Sequence, residues 1–344
     1  MKAFALTDSS QRAISDLAII DIPKPKISAD DVLVKVTAVG LNPVDFKVIE
    51  NGVDTWTFPH IIGRDVVGEI VELGEHVTQF QIGDRVAGHG NLTKQSCLAE
   101  FASVPAYQLA KIPGGISHTD AAALLCNGLT AYQTLFRKAR LANKKTILIH
   151  AGSGGVGSIA IQLAKMAGLT VYTTASTAKV DFVKSLGADI VIDYKTENVS
   201  RRIAELTDGL GVDMIINTIG KDESTEDLKR LAYNGSLIAV FSPPCIDNPS
   251  DLFSCALSID VLNLGGAHLS HNPQQAQDLA TMTEELFALI QEQKAKASFV
   301  SQTFPFKQTK EALQLIKDRK ATVKPVIDMN LNQKRSEITC FPSN

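Results

Sequence analysis

Cysteine is scarce in this chain and poorly spaced for any structural duty. The five cysteines, Cys97, Cys126, Cys245, Cys255 and Cys340, are odd in number, scattered and never spaced C-x-x-C. That argues against a disulfide framework and against a structural zinc cluster. An excess of one charge is also lacking, since 34 basic and 37 acidic side chains leave a net charge of −3. Neither nucleic acid nor an anionic membrane surface is therefore an expected partner. No apolar run approaches the roughly 20 residues needed to span a bilayer. The first residues, Met1 to Thr7, carry no secretory pattern because Asp8 and polar residues interrupt it at once, so the expected location is the cytoplasm. No internal repeat or low-complexity linker is present, and 344 residues suffice for two domains, each with its own core.

What the chain does have is a glycine-rich turn in the right setting. The apolar run Thr146-Ile147-Leu148-Ile149 leads through His150 and Ala151 into Gly152-Ser153-Gly154-Gly155-Val156-Gly157, a G-x-G-x-x-G spacing. Val156, Ile159, Ala160, Leu163, Ala164 and Ala167 then fall on one face of a helix, and Gly168 follows as its C-terminal cap. Strand, turn and helix together predict a dinucleotide-binding site. The first glycine serves the tight turn, the second the approach of a pyrophosphate and the third close helix–strand packing.

The next strand bears on which dinucleotide is bound. An NAD site usually carries a carboxylate roughly 20 residues beyond the first glycine, on the ribose 2′-hydroxyl. Here the strand Thr170 to Ala175 ends at Ser176, and Lys179 follows. A hydroxyl and an ammonium suit a 2′-phosphate, so NADPH is expected over NADH. Ser176 also suits the cap of a helix over Ala178 to Leu186, with Lys179 solvating its first turn, and the two roles are compatible.

The chain divides into three stretches. Residues 1–122 are rich in short β patterns such as Val32 to Val39, Val66 to Leu73 and Gly83 to Gly88, punctuated by glycine and proline. Over 123–270, strands alternate with helical segments, which predicts an α/β architecture: a Rossmann-type domain with a parallel sheet covered on both faces. Residues 271–344 hold a long helical pattern, a strand near Val300 to Phe304, a helix from Thr309 to Asp318 and a strand from Val326 to Met329. This stretch is expected to return to the first domain, followed by a polar tail from Asn330 to Asn344.

Several segments together carry a family resemblance across nearly the whole chain. They are Asn42-Pro43-Val44-Asp45-Phe46-Lys47, Gly63-Arg64-Asp65 with Gly68-Glu69-Ile70-Val71, Gly83-Asp84-Arg85-Val86, Ala121-Ala122-Ala123 with Gly128-Leu129-Thr130-Ala131-Tyr132, the glycine turn, and Leu186-Gly187-Ala188-Asp189 through Asp193-Tyr194. The combination resembles the medium-chain dehydrogenase/reductase superfamily, and within it the zinc-independent quinone oxidoreductase branch. The resemblance implies a β-rich GroES-like domain, a Rossmann domain, an active-site cleft between them, and homodimers built through the Rossmann domains.

In zinc alcohol dehydrogenases of that superfamily, a Cys near the position of Asn42 to Asp45 and a His in Gly-His-Glu hold the catalytic metal. Here the second motif reads Gly63-Arg64-Asp65, and an arginine offers zinc no lone pair, so no metal is expected. His60 and His89 are too isolated to rescue a site, and His150 reads as a packed or hydrogen-bonded strand residue. Without a Lewis acid, acceptors that take hydride into a conjugated system become the expected substrates: a quinone, or an α,β-unsaturated carbonyl. By resemblance, Asn42, Asp45 and Lys47 lie beside the nicotinamide. Asn42 would offer an amide donor, Lys47 would stabilise an enolate or relay a proton, and Asp45 would orient Lys47 or Arg64. The alternative is a structural ion-pair network of Asp45, Lys47, Arg64 and Asp65. Thr130, Tyr194, Thr218, Ile219, Phe241 and Ser242 complete the implied cofactor contacts, with Thr218-Ile219-Gly220 departing from the family's glycine-rich pattern. A second reading is an NADPH-binding structural or regulatory protein of the zeta-crystallin type.

Overall fold

In the N-terminal third the short β patterns fold as β1 (Lys2–Leu6), β2 (Ala18–Asp21), β3 (Asp31–Gly40), β4 (His60–Ile61), β5 (Asp65–Leu73), β6 (Arg85–His89), β7 (Phe101–Pro105) and β8 (Leu109–Lys111), with α1 (Pro43–Asn51) between β3 and β4. The middle alternates α2 (His118–Gln133), β9 (Thr146–Ile149), α3 (Gly155–Met166), β10 (Thr170–Ala175), α4 (Val180–Ser185), β11 (Ile190–Asp193), α5 (Val199–Leu206), β12 (Val212–Asn217), α6 (Lys221–Asp227), β13 (Leu231–Ala239), α7 (Pro249–Cys255) and β14 (Ser258–Val261). Then come α8 (Leu264–Leu269), α9 (Pro273–Gln291), β15 (Val300–Pro305), α10 (Thr309–Lys317) and β16 (Lys324–Asp328). This computed structural model describes residues 1–296, 300–321 and 324–331, so most of the tail expected after Asn330 lies outside the described residues. No helix among the described residues is long and apolar enough to cross a membrane.

The chain forms two compact units: 1–106, 117–122 and 300 onward in the first, 107–116 and 123–299 in the second. The long strand β3 is the spine of the first unit. It pairs antiparallel with β5 along its length, with β7 on its N-terminal half and with β16 at its C-terminal end. Its buried Val32, Leu33, Val34, Val36 and Val39 pack with Val66, Val67 and Ile70 of β5, leaving charged side chains such as Lys35 and Glu69 on the outside. A smaller antiparallel sheet has the order β2-β1-β4.

The second unit is built on a parallel sheet of order β11-β10-β9-β12-β13-β14. Numbered along the chain, that is 3-2-1-4-5-6, the order of a doubly wound dinucleotide-binding fold. The central strands read as continuous apolar runs, and Ile147, Leu148, Ile149, Met214, Ile215 and Ile216 are fully buried because both sheet faces are covered. The second unit also runs to 299, beyond the boundary at 270 expected from the sequence. Helix α9 stays with it, burying Leu279, Met282, Leu286 and Phe287, and Leu286 packs so tightly on α2 that a Cβ at Gly128 would meet it at 2.5 Å. The expectation that the stretch from 271 returns to the first domain does not hold for α9, because helical periodicity identifies a buried face but not the surface that covers it.

Candidate functional site

The glycine turn follows the carboxyl end of β9. Ala151 takes a left-handed conformation (φ 51°), and its carbonyl accepts from Gly154 N at 2.8 Å. A Cβ on Gly152 would sit 2.0 Å from Thr173 Oγ1, and one on Gly157 would sit 2.4 Å from the Ala151 carbonyl oxygen. These two glycines are therefore demanded by strand–helix packing. Gly154 differs, because a Cβ there would meet nothing closer than the Ala151 oxygen at 3.1 Å. Gly154 is also the N-cap of α3 and makes no side-chain cap bond. The first-turn N–H groups of Gly155, Val156 and Gly157, beside half-buried Ser153, accordingly have no capping side chain, as an anion-binding helix terminus requires.

Because the sheet is parallel, the other predicted contacts gather on the same carboxyl edge: Ser176 and Lys179 beyond β10, Tyr194 beyond β11, Thr218 and Ile219 beyond β12, Phe241 and Ser242 beyond β13. The strand order reverses beside β9, the position at which open α/β sheets bind ligands. The Ser176 hydroxyl makes no cap bond to the short turn Thr177–Lys179, which separates it from the capping role. Tyr194, Ile219 and Phe241 are each 55% exposed, leaving large apolar surfaces at this edge. Thr130 is buried in α2, and its hydroxyl donates to the Cys126 carbonyl at 2.7 Å. The sequence reading gave no weight to Asp193 at the end of β11. Its carboxylate accepts from the Thr177 hydroxyl and from Lys195 N, and these bonds hold its pKa below the usual range.

Beneath the turn lies a buried polar network. His150 Nε2 meets Asp227 Oδ1 at 2.9 Å, Asn217 Nδ2 donates to Asp227 Oδ2 at 2.6 Å, and Arg230 Nη1 donates to Asp227 Oδ1 at 2.7 Å and to Glu223. Asn217 Oδ1 in turn accepts from Ile219 N and Gly220 N at 2.8 and 3.1 Å. Asp227 thus ties the strand end before the glycine turn to the Asn217–Gly220 turn. Its pKa is lowered: the bond to His150, the imidazole charge, Asn217 and Arg230 together outweigh the larger opposing effect of burial. His150 is hydrogen-bonded as expected, but it stands one residue past β9, in the turn.

In the first unit, α1 opens after an extended Asn42 (φ −132°) with Pro43 in its first turn, where the missing N–H costs nothing. Asp45 Oδ2 accepts from Asn42 N at 2.7 Å. Asn42 Nδ2 donates to the Gly40 carbonyl at 3.2 Å and to Asp65 Oδ2 at 2.9 Å, and Asn42 Oδ1 accepts from Lys324 Nζ at 2.5 Å. Lys324 Nζ also reaches Asp65 Oδ2 at 2.7 Å. Both amide protons of Asn42 are therefore engaged inside the protein, which corrects the expectation that it donates to a substrate oxygen; here it is a positioning residue. Asp45 is fully buried and Lys47, two residues along the helix, is exposed. Side chains two apart do not share a helix face, so Asp45 does not orient Lys47.

The ion pair in this cluster is Asp65 with Lys324, and Asn42 bonds both of them and Asp45. Arg64 Nη1 donates to His89 Nε2 at 3.3 Å. The Asp45 carboxyl is pushed up to about 7, first by burial and then by the Asp65 charge, against the opposing pull of Arg64, Asn42 N–H and Lys324. Burial, followed by the Asp45 and Asp65 carboxylates, also pushes the Cys97 thiol well above its ordinary value. His60 stacks on Trp56 (4.0 Å, 14°), and burial lowers its pKa to about 4.

Comparison with known proteins follows both units. Residues 28–114 match the alcohol dehydrogenase GroES-like domain and residues 155–282 the zinc-binding dehydrogenase domain. The quinone oxidoreductase-like protein 2 homolog of Nematostella vectensis is 34% identical over 306 residues, covering 88% of this chain and 82% of that protein. Among solved structures, the quinone oxidoreductase of Pseudomonas syringae pv. Tomato DC3000 superposes with a TM-score of 0.84 at 28% identity, over 95% of this chain and 100% of that one. Mycobacterial Rv1454c, solved in complex with NADPH, gives 0.80 at 28% identity over the same two shares. Two domain matches in the right order, a relative aligned over most of both chains and a superposition over nearly the whole chain lead to one conclusion: the chain belongs to the medium-chain dehydrogenase/reductase superfamily, in its quinone oxidoreductase branch.

Proposed function

We propose that the protein is an NADPH-dependent, zinc-independent oxidoreductase acting on a quinone or an α,β-unsaturated carbonyl. The observation that carries this reading is the uncapped N-terminus of α3, set behind an open Gly154 where the strand order reverses. NADPH, when bound, supplies a hydride from its nicotinamide ring. The residues of the chain bind and orient. The α3 N–H groups receive the pyrophosphate, while Ser176 and Lys179 receive the 2′-phosphate. Ile219 and Phe241 cover the ring and keep water from it, with Thr130, Thr218, Ser242 and Tyr194 completing the contacts. On the first unit, Lys47 on the exposed side of α1 stabilises negative charge developing on the acceptor oxygen. Asn42 and Asp45 hold the start of that helix. Arg64 at the position of a ligating histidine supports chemistry without zinc. A homodimer through the second unit fits the open outer edge of β14, near which Phe253 is 90% exposed.

The test is NADPH oxidation at 340 nm by chelator-treated protein against 9,10-phenanthrenequinone, a 2-alkenal, a 2-alkenone and a simple aldehyde, each repeated with NADH. Turnover of the quinone or an enone is expected, with NADPH favoured by about tenfold or more, the worth of one charge-assisted contact. Preference for NADH would move the weight from Ser176 and Lys179 to Asp193. Tight NADPH binding without turnover would favour a binding protein. Lys47→Met is expected to lower kcat by about 10²-fold while leaving NADPH affinity unchanged. An unchanged kcat would remove Lys47 from the mechanism.

A further inference from the structure

The glycine turn contains one glycine more than its spacing requires. Gly155 is neither the first, second nor third residue of G-x-G-x-x-G, and its backbone is not among those with positive φ. Its missing side chain has another cause. A Cβ at Gly155 would lie 2.0 Å from Asn127 Nδ2, 2.6 Å from Cγ and 3.1 Å from Oδ1. The whole carboxamide of Asn127 is thus laid on the first residue of α3. Asn127 belongs to an otherwise apolar stretch of α2, between buried Leu124 and Leu125 on one side and Leu129 on the other, within the second unit. Its half-buried carboxamide makes no hydrogen bond to any described residue. Its place against Gly155, beside the uncapped N–H groups of α3, sets a carboxamide with unused donor capacity where those groups would receive an anion.

We propose that Asn127 is a cofactor-contacting residue, whose carboxamide extends the row of α3 N–H donors and hydrogen-bonds the pyrophosphate of the dinucleotide. The inference rests on the dinucleotide-binding reading above. Gly155 follows from it, as the residue that lets the carboxamide lie against the helix terminus. Asn127 is separated from the turn by more than one element of the chain, so the G-x-G-x-x-G pattern itself gives no hint of it.

The test uses the full-length chain and titrates NADPH into wild type, Asn127→Ala, Asn127→Asp, Gly155→Ala and the Asn127→Ala/Gly155→Ala pair, with Tm recorded for each without nucleotide. Asn127→Ala is expected to weaken NADPH about tenfold with Tm unchanged, the loss of one hydrogen bond to a charged group. Asn127→Asp sets a carboxylate against the pyrophosphate and is expected to weaken it about 100-fold, with part of the loss relieved by salt. Gly155→Ala is expected to lower both Tm and affinity through the clash. In the pair the Tm returns while affinity stays at or below the Asn127→Ala level, which separates contact from packing. Wild-type affinity in both Asn127→Ala and Asn127→Asp would overturn the inference and leave the dinucleotide reading standing. Failure of wild type to bind either nucleotide would overturn both.

Discussion

Lys324→Met is expected to destabilise the protein by about 3–5 kcal/mol, because it removes one partner of a buried ion pair and leaves the other in place. The ammonium lies 2.7 Å from Asp65 Oδ2 and 2.5 Å from Asn42 Oδ1, with Lys324 and Asp65 4% and 0% exposed. Room for its stem is made on the neighbouring strand, where a Cβ at Gly40 would meet Lys324 Cε at 2.9 Å and the Ala122 carbonyl oxygen at 2.3 Å. In the variant, the Asp65 carboxylate stays in a low-dielectric site without that cation, and Asn42 loses the donor to its Oδ1. The double variant Asp65→Asn/Lys324→Met removes both charges and is expected to recover most of the loss, since the desolvation of two ions disappears together with their attraction. Urea unfolding of the three proteins measures this directly. A cost below about 1 kcal/mol for Lys324→Met would place the pair with weak surface bridges, against its burial.

This pair also marks where the sequence stops being legible. Periodicity and glycine spacing are local signals, and they carried the glycine turn, the α3 face, the parallel alternation and the carboxyl-edge placement of Ser176, Tyr194 and Ile219. Contacts between distant segments have no such signal. Lys324 opens β16, and Asn42 lies 282 positions earlier; the antiparallel pairing of β16 with β3, Val326 against Gly40, brings them together. A lysine at the start of an apolar strand was the one visible cue. Asp227 and His150, 77 positions apart, meet for a similar reason, because the ends of β9 and β12 are neighbours in a sheet whose order is not the order of the chain. Asn42 was recognised as a site residue from its motif, yet the engagement of both its amide protons depends on Gly40 and Asp65 and is a property of the folded cluster. Lys47 and Asp45 show the converse: their separation onto different faces of α1 is readable from helical geometry alone.

Asp45→Asn is expected to make the protein more stable above neutral pH and to leave it little changed in mild acid. The wild-type carboxyl rises from an ordinary 3.8 to about 7 in the folded state. Folded protein therefore holds a proton that unfolded protein has already released between those values, and stability falls as pH rises through the window. Below about 4 both states are protonated and the term vanishes; above about 7 the penalty is fully developed and constant. The size of the shift sets a ceiling of about 4 kcal/mol, and relaxation of a buried carboxylate reduces it, so about 2–4 kcal/mol is expected at pH 8. Asparagine keeps an acceptor for the Asn42 N–H, bonded at 2.7 Å in the wild type, and brings no charge to the atom corresponding to Asp45 Oδ1, which has no hydrogen-bond partner among the described residues. Urea unfolding of both proteins at steps from pH 4 to pH 8 should therefore show a stability difference that opens with pH and levels off near 7. A difference that is flat with pH would mean that Asp45 is ionised throughout, with Arg64 and Lys324 outweighing burial.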